Sequence, residues 1–450
     1  MTGNRAKPPA VRPTILAALL SLATNAFAGA GLHIEVTPGG WKSYPLGIPA
    51  PSVVGGQALT DAGDAVQKVL LADLATSGLF ALLDPKSFLA DPKKEGFTAT
   101  TIDFSKWSAV GADGLLKLLV TGDAAKNTLR VEVRLFDVLH GDEDLRKEYA
   151  ASRESTRAIA HTIADDLLQH FTGERGPFRT HLAYVRTVAM GEKNLVVADY
   201  DGHAPQVVAA GGINVLPNWS ADAKSLSFTS YRLGAPNLFI VDVASRAVRD
   251  LVSRGEFDTG AAFSPDGAKV AFAVGEKGDS NIWVADVDGA NAKKLTDSYG
   301  IDVSPTWSPD GKRIAFVSAR AGTPQLYTMN ADGSQQARLT FAGNYNQEPR
   351  WSPRGDVIVF TGRDERRVFD LFTINVANGR ITRLTQDQGN NNAAAWAPNG
   401  RLLVFASNRE GGRWALWTMA GHDGGNQRLL LKEAVDVTTP TWSGWPAGLK

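Results

Sequence analysis

The sequence predicts a β-dominated protein in two domains, a small α/β domain followed by a six-bladed β-propeller. An aromatic residue recurs every 44 to 46 positions through the second half of the 450-residue chain. Each recurrence opens a stretch of short strand-like segments separated by turns rich in Gly and Asp. The residues before these repeats lack the period and alternate helical with strand-like patterns.

The first 28 residues have the composition of a secretory signal peptide. Arg5, Lys7 and Arg12 make a basic start, an apolar run covers 15–23, and residues 26–28 offer the small side chains that a signal peptidase reads. The apolar run is shorter than the ~20 residues that span a bilayer. We therefore expect cleavage after Ala28, export from the cytoplasm, and no membrane span.

Residues 29–174 are predicted to form the small α/β domain. Apolar residues at helical spacing predict helices over 61–77 and 156–171, and Gly78 and Gly173 follow them as stop signals. Apolar runs and strict alternation predict strands over 33–37, 115–121, 129–135 and 145–152. The boundary to the next domain is expected within 173–177.

Three aromatic ladders in one register define the repeats. The first comprises Trp219, Phe263, Trp307, Trp351, Trp396 and Trp442, with spacings of 44, 44, 44, 45 and 46. The second comprises Phe228, Phe272, Phe316, Phe360 and Phe405, and the third Phe239, Trp283, Tyr327, Phe372 and Trp417. Because a fixed period of this length marks repeat architectures, the six anchors of the first ladder predict six repeated units.

Each unit is predicted to hold four strands. After Trp307, the tetrapeptide 308–311 has the Pro, Asp and Gly that close a tight turn. β-branched and aromatic residues then predict strands over 313–318, 325–330 and 336–340. A four-stranded unit at this period is typical of a propeller blade.

The ring is predicted to close with strands from both ends of the repeat region. The sixth anchor, Trp442, has only a first strand, and the three missing strands are found over 181–186, 194–200 and 206–209. A blade shared in this way removes the open sheet edges of the ring. The propeller domain is accordingly assigned to residues 175–450.

Composition and motifs narrow the function classes. Lys plus Arg and Asp plus Glu both number 47, and this balance argues against a general nucleic-acid or membrane-surface binder. Cysteine is absent, which excludes disulfides and thiolate sites. The sequence has no nucleophile elbow and no phosphate-binding loop, and its seven His residues lack metal-ligand spacing. We assign no catalytic residue, cofactor or metal ligand and expect a non-enzymatic protein, with an ion in the propeller channel left open.

The loops on one face of the ring are the candidate partner-binding site. Segments leading into the first strands and loops after the second strands should open on the same face, which we call the mouth face. The predicted polar mouth comprises Phe257, Asp258, Thr259, Gly260, Asp302, Val303, Ser304, Asn346, Gln347, Glu348, Asn390, Asn391 and Asn392. The predicted basic rim comprises Arg232, Arg320, Arg363, Arg366, Arg367 and Arg409. Plain solvation of loops is the alternative interpretation.

Several motifs resemble the TolB family over essentially the whole mature chain. The repeat pattern at 305–311 is shared with peptidase propellers, whereas 176–185 followed by Asp-Tyr-Asp-Gly at 199–202 is similar to the TolB domain boundary. Residues 72–84 and 107–113 resemble motifs of the TolB N-terminal domain.

The resemblance implies a periplasmic, non-catalytic component of the Tol–Pal envelope system, which we expect to be a monomer. Such a protein links TolA of the inner membrane to Pal, a peptidoglycan-associated lipoprotein of the outer membrane. It supports outer-membrane integrity and constriction during cell division. The resemblance also implies that Pal docks at the propeller mouth. It implies that TolA binds the mature N-terminal segment, here Gly29, Leu32, His33, Ile34, Glu35 and Val36.

Two other functions stay open. The first is a hydrolase or lactonase that uses the propeller channel, with polar groups supplied by Asp258, Asp302, Glu348 and Asn392. The second is an orphan periplasmic propeller that senses a peptide or a saccharide. Calcium-dependent turnover of lactones would favour the first, whereas stoichiometric capture of a lipoprotein would favour the Tol–Pal component.

Overall fold

The computed structural model describes residues 43–91, 94–363 and 365–446. They form one mixed sheet flanked by helices and then six four-stranded sheets, so the predicted fold class is confirmed. The predicted signal peptide, the strand over 33–37 and the TolA-binding residues from Gly29 to Val36 lie outside the described residues. Within the described ranges, no helix has the length and apolar character needed to cross a membrane.

The mixed sheet belongs to the N-terminal α/β domain. Its strands are β1 (Tyr44–Gly47), β2 (Ser52–Val53), β3 (Phe80–Leu82), β4 (Gly114–Asp123), β5 (Thr128–Asp137) and β6 (Glu143–Ser152). The strand order is β3-β1-β4-β5-β6, with β2 also paired to β4. The helices are α1 (Gln57–Ser77), α2 (Phe104–Ala109) and α3 (Thr156–Thr172), with 3-10 turns at Pro85–Ser87, Ala99–Thr101 and Arg153–Ser155.

The long helices α1 and α3 both end at a glycine. Gly78 and Gly173 follow them in the left-handed conformation, with φ of 69° and 71°, which a residue with a Cβ adopts at a cost. The buried face of α1 includes Val66 and Leu70, which join the inward-facing residues of β5 in one core. This alternation of buried and exposed residues along β5 is the pattern that predicted a half-buried strand.

The six blades follow one plan, in which the first strand is innermost. The first blade consists of β10 (Asn214–Trp219), β11 (Ser225–Leu233), β12 (Ala235–Asp242) and β13 (Val248–Val252). The second consists of β14 (Phe257–Phe263), β15 (Lys269–Glu276), β16 (Asp279–Asp286) and β17 (Lys293–Lys294). The third consists of β18 (Asp302–Trp307), β19 (Arg313–Ser318), β20 (Gln325–Asn330) and β21 (Ala337–Arg338). The fourth consists of β22 (Asn346–Trp351), β23 (Val357–Arg363), β24 (Phe369–Asn375) and β25 (Ile381–Arg383). The fifth consists of β26 (Asn391–Trp396), β27 (Leu402–Ser407), β28 (Ala415–Ala420) and β29 (Arg428–Leu431). The sixth consists of β30 (Val437–Trp442), β7 (His181–Ala189), β8 (Glu192–Asp199) and β9 (Gln206–Ala209).

The outermost strand of a blade is shorter than the sequence predicts. In the third blade the prediction covers 336–340, but only Ala337–Arg338 pairs with β20. The hydroxyl of Thr340 accepts a 2.9 Å hydrogen bond from the Leu326 amide and so replaces the next rung of the ladder. A side chain that takes the place of a backbone partner ends the strand early.

Buried tryptophans join neighbouring blades. The indole Nε1 of Trp307 donates a 3.1 Å hydrogen bond to the carbonyl of Ala262, in the innermost strand of the preceding blade. Trp396 donates in the same way to Arg350, and Trp219 to Thr441. Each accepting carbonyl belongs to the residue just before the anchor aromatic of the previous blade. Trp351 and Trp442 differ, because the indole of Trp351 donates to Gly355 within its own turn and that of Trp442 donates to Thr180 Oγ1.

The ring closes through β30, which pairs antiparallel with β7. The pairing matches Val437 with Arg186 and Trp442 with Leu182. The hydrogen bond from Trp219 to the Thr441 carbonyl then links the first blade to the sixth. Residues more than 200 positions apart therefore form one blade, and the innermost strand of that blade comes from the end of the described chain.

Every innermost strand contains a β-bulge at the same place. The pairing register shifts after the second residue of the strand, or after the third in β14, and the next position has a positive φ. The residues at this position, which we call the bulge ring, are Leu216, Gly260, Ser304, Glu348, Ala393 and Thr439, with φ between 49° and 67°. Because five of the six carry a Cβ, the surrounding ring must hold them in a conformation that L-residues seldom adopt. The bulge turns this residue towards the central channel.

A buried polar network joins the two domains. Asp73 of α1 accepts hydrogen bonds from His161 Nδ1 of α3 at 2.7 Å and from Tyr200 Oη, which follows β8 of the propeller, at 2.5 Å. Arg157 on α3 bonds the carboxylate of Asp201, beside Tyr200. Asp73, His161 and Tyr200 are all at most 5% exposed, so each hydrogen bond satisfies a group that water cannot reach.

The domains also share a hydrophobic core and a second set of polar ties. One continuous cluster contains Leu70 of α1, Phe178 of the linker and Trp442 of the sixth blade. In the linker, the Glu174 carboxylate binds Arg354 and Arg401 of the propeller at 2.6 Å. The N-terminal domain therefore packs on the face of the ring opposite the mouth face.

We predict that His161 stabilises the protein in a pH-dependent way. Burial alone would lower the pKa of His161, but the hydrogen bond and the charge of Asp73 outweigh burial and raise it above the ordinary value of 6.5. A raised pKa in the folded state means that the stabilisation is complete below the unfolded pKa and declines as pH rises through the folded pKa. The substitution His161→Gln should therefore lower the free energy of unfolding by roughly 1–3 kcal/mol at pH 6 and by less at pH 9.

Urea denaturation of both proteins at the two pH values measures this difference. The control is His422→Gln, in a half-exposed turn of the fifth blade, where we expect a change within about 0.5 kcal/mol. A destabilisation by His161→Gln that grows from pH 6 to pH 9 would contradict the prediction.

Candidate functional site

The predicted polar mouth lies within strands rather than in loops, and the structure corrects this part of the interpretation. Phe257, Asp302, Asn346 and Asn391 are the first residues of β14, β18, β22 and β26. Of the thirteen residues, Asn390 is the one that lies outside a strand. The sequence predicted loops because Asp, Asn and Gly are frequent in these segments. In the structure these residues instead begin the innermost strands and form their bulges.

The thirteen mouth residues fall into three groups by accessibility. Asp258, Asp302, Asn346 and Asn391 are at most 3% exposed, so they are not available to a partner as surface groups. Gly260, Ser304 and Glu348 belong to the bulge ring and line a cavity on the propeller axis. The remaining six are half-buried: Phe257, Thr259, Val303, Gln347, Asn390 and Asn392.

Three of the rim arginines brace the buried mouth residues instead of forming a free basic surface. Arg320 Nη2 lies 2.9 Å from Asp302, its Nε donates to Ser318 Oγ at 2.8 Å, and its guanidinium lies over the ring of Tyr327 at 5.0 Å. Arg232 and Arg409 repeat this arrangement in the first and fifth blades, each with a first-strand Asn as the acceptor. Cation–π contact and charge-assisted hydrogen bonds together fix these side chains.

The other three rim arginines differ from this brace. Arg363 lies over the ring of Tyr345 at 4.7 Å and is half-buried. Arg366 forms a 2.5 Å ion pair with Asp387, and Arg367 is exposed. Four of the six predicted rim arginines are thus stacked on aromatic rings, and partner binding by the basic rim stays a prediction.

Exposed apolar side chains on the mouth face are the feature that sequence reasoning missed. Tyr299 is 91% exposed and Phe341 is 76% exposed, in the loops before β18 and β22. Val188, Met190, Tyr231 and Leu233 are exposed at the hairpins β7–β8 and β11–β12, on the same edge of the ring. The composition of these loops did not signal them, because isolated apolar residues in polar loops have no periodicity. We call the six residues the apolar rim.

Asp258 shows how the mouth holds a carboxylate without an arginine. Its Oδ2 accepts a 2.7 Å hydrogen bond from the Arg254 amide, and the residue is fully buried. Burial raises the pKa of Asp258, against hydrogen bonds from the Arg254 and Gly255 amides that lower it. The group is thus a structural acceptor at the start of β14.

A second cluster could be mistaken for a metal site. Ligand atoms of His161, Asp199 and Asp201 lie within 4.8 Å of one another at the domain junction. The guanidinium of Arg157 already bonds Asp201 and lies 4.0 Å from Asp199, so it supplies the positive charge there. We assign this cluster to domain packing.

A larger cleft, of 560 Å³, lies between the two domains and away from the mouth face. Its walls include Ser43 and Phe80 of the N-terminal domain and Arg354, Arg401 and Arg428 of the propeller. Ser43, at the start of the described residues, is among the residues that line it.

We predict that Arg320 contributes to stability far more than Arg366, although both belong to the predicted basic rim. Arg320→Met leaves the fully buried Asp302 carboxylate without its counter-ion, which should cost roughly 3 kcal/mol, less some screening because Arg320 is partly exposed. Arg366→Met removes an ion pair whose side chains are 51% and 58% exposed, and surface pairs contribute at most about 1 kcal/mol. Thermal and urea unfolding of the two variants measure the difference, and equal losses would contradict it.

Comparison with known proteins supports a family assignment. The family described as TolB beta propeller domain matches residues 168–445, and the TolB amino-terminal domain matches residues 32–143. A Tol-Pal system protein TolB from Myxococcus xanthus (strain DK1622) is 45% identical over 228 residues, 50% of this chain and 51% of that protein. A protein of the same name from Anaeromyxobacter dehalogenans (strain 2CP-1 / ATCC BAA-258) is 43% identical over 242 residues, 54% of this chain and 55% of that protein. The chain thus spans about half the length of the curated relatives it matches.

The solved structures agree with the fold. The crystal structure of TolB from Acinetobacter baumannii has a TM-score of 0.77 and 25% identity, with 92% of this chain and 100% of that chain covered. The propeller family alone matches more than half of the sequence, and the amino-terminal family matches most of the α/β domain. The chain therefore belongs to the TolB family.

Proposed function

We propose that this protein is a periplasmic, non-enzymatic component of the Tol–Pal system that binds Pal on its mouth face and TolA through its N-terminal segment. Membership of the TolB family supports the system, because the relatives are named Tol-Pal system proteins. The observation that supports the Pal-binding face is the apolar rim on a rigid ring. The predicted signal peptide supports a periplasmic location.

The mouth face has the chemistry of a protein-binding surface. Large apolar side chains such as Tyr299, Phe341 and Leu233 stand exposed around a polar centre, and interfaces gain most of their binding energy from such anchors. The braces beneath them, such as Arg320 with Asp302, hold the innermost strands and so limit rearrangement on binding. A partner that offers apolar pockets and a small polar protrusion fits this surface.

The polar residues near the pore favour binding over catalysis. Asp302 Oδ2 pairs with Arg320 and Asp258 Oδ2 accepts from the Arg254 amide, whereas the buried Oδ1 of each carboxylate has no hydrogen-bond partner among the described residues. Glu348 Oε2 accepts hydrogen bonds from Thr361 Oγ1 and the Ala393 amide, both at 2.9 Å. Groups committed to structural hydrogen bonds are poorly suited to act as general acids or bases, which must exchange a proton with a substrate. This argues against the hydrolase or lactonase alternative.

We predict that the soluble domain of Pal from the same organism binds one-to-one and that the apolar rim contributes strongly. In calorimetric titrations of residues 29–450, Tyr299→Ser combined with Phe341→Ser should weaken binding about tenfold or more, since a buried aromatic anchor is typically worth over 1 kcal/mol. The control is Leu139→Ser, an equally exposed apolar residue of the N-terminal domain, which should leave the affinity unchanged.

Two outcomes would count against this proposal. Unchanged affinity of the double variant would remove the apolar rim from the Pal interface. A complete lack of binding to wild type at micromolar concentrations, with and without calcium, would return the protein to the class of orphan propellers.

We also predict that Pal and TolA binding are coupled. The N-terminal domain shares one continuous hydrophobic core with the fifth and sixth blades, so a change in the propeller can be transmitted to that domain. A titration of TolA into the protein with and without saturating Pal should give different affinities, and by linkage TolA should change the Pal affinity by the same factor. Equal TolA affinities in the two titrations would contradict the predicted coupling.

A further inference from the structure

The channel of the propeller contains one arginine without a counter-ion. Arg350 precedes the anchor Trp351 in β22, and its equivalents in the other blades are Asn218, Ala262, Thr306, Ala395 and Thr441. The one side-chain hydrogen bond of Arg350 within the described residues is long, 3.4 Å from Nη1 to the Pro349 carbonyl. A guanidinium has five N–H donors, so most of the donors of Arg350 have no protein acceptor.

The neighbouring carboxylate does not neutralise Arg350. Glu348 lies two residues away and also faces the channel. Its Oε2 accepts hydrogen bonds from Thr361 Oγ1 of the same blade and from the Ala393 amide of the fifth blade. Among the described residues no carboxylate forms an ion pair with Arg350 within 4.0 Å, and the tie of Glu348 to the fifth blade explains why the two stay apart.

The cavity beside Arg350 matches a very small ligand. It has a volume of about 30 Å³ and is lined by all six residues of the bulge ring together with Asn218 and Arg350. Such a volume holds one or two particles the size of a water molecule. Of the residues that line it, Glu348 and Arg350 are the charged ones.

Arg350 is half-buried, and the partial loss of solvation makes its unpaired charge costly. Desolvation lowers the pKa of Arg350, although the charge of Glu348 acts in the opposite direction. The guanidinium nevertheless stays protonated in proteins, so it cannot escape the cost by losing its proton. A buried charge is retained when a counter-charge and hydrogen bonds compensate it.

We propose that the channel of this protein binds a monatomic monoanion, of which chloride is the physiological representative, between the Arg350 guanidinium and the bulge ring. The anion accepts N–H hydrogen bonds from Arg350 and completes its charge balance. Larger anions are excluded by the size of the cavity. The site shares Gly260, Ser304 and Glu348 with the predicted mouth, but Arg350, which donates to the anion, is not part of that mouth.

Thermal unfolding in sodium bromide, sodium chloride and sodium gluconate at equal ionic strength tests the site. Wild type should unfold at a temperature several degrees higher in either halide than in gluconate, which is too large for the cavity. The substitution Arg350→Gln should abolish this halide increment. Glu348→Gln should enlarge it by removing a repelling charge, and the control Arg313→Gln, outside the cavity, should retain it.

Anomalous diffraction from bromide detects the anion directly. Crystals of the wild-type protein grown in bromide should show an anomalous peak on the propeller axis within hydrogen-bonding distance of Arg350. A channel that contains only water, a halide increment that persists in Arg350→Gln, or stabilisation by calcium gluconate but not by sodium bromide would each overturn the proposal.

Discussion

The buried hydrogen bond from an anchor tryptophan to the carbonyl of the preceding blade is the constraint on which the ring depends. Four-stranded sheets pack through side chains, and side-chain packing alone tolerates sliding of one sheet past another. The indole of Trp307, fixed to the Ala262 carbonyl, sets the distance and register between two blades at once. The same bond from Trp219 to Thr441 extends this constraint across the closure point. The other three junctions lack it, because Trp351 bonds its own turn, Trp442 bonds Thr180, and the second-blade anchor Phe263 has no indole; they rely on packing and on other contacts.

The sequence was a good guide wherever structure repeats. The anchor aromatics placed every innermost strand, and in the third blade β19 and β20 have the predicted ends. Prediction failed where the role of a residue depends on a neighbour distant in sequence. Asp302 looked like a loop residue because Asp favours turns, but its environment is set by Arg320, 18 residues later. The bulge ring escaped notice because Ser304, Glu348 and Ala393 share a backbone conformation and not a chemistry.

The two faces of the propeller differ in the partners of their charged residues. On the mouth face, arginines stack on aromatic rings and pair with buried polar groups beneath exposed apolar side chains. Their charges are therefore engaged within the protein. On the opposite face, Glu174 and Asn426 tie the propeller to the N-terminal domain, and Tyr200 extends this tie to Asp73. Residue types alone could not reveal this division, since Arg and Asp occur on both faces and only their partners differ.

Closure by a strand from the end of the described chain has a consequence for biogenesis. Because β7 needs β30 as its partner, the sixth blade cannot form until roughly 250 further residues have been made available, as the pairing of Arg186 with Val437 shows. The loss of entropy on joining such distant segments makes this step late in folding. A chain that crosses a membrane from its N-terminus would thus present an open, unpaired edge until its last strand emerges. Chaperones that shield such edges would find their substrate in this interval.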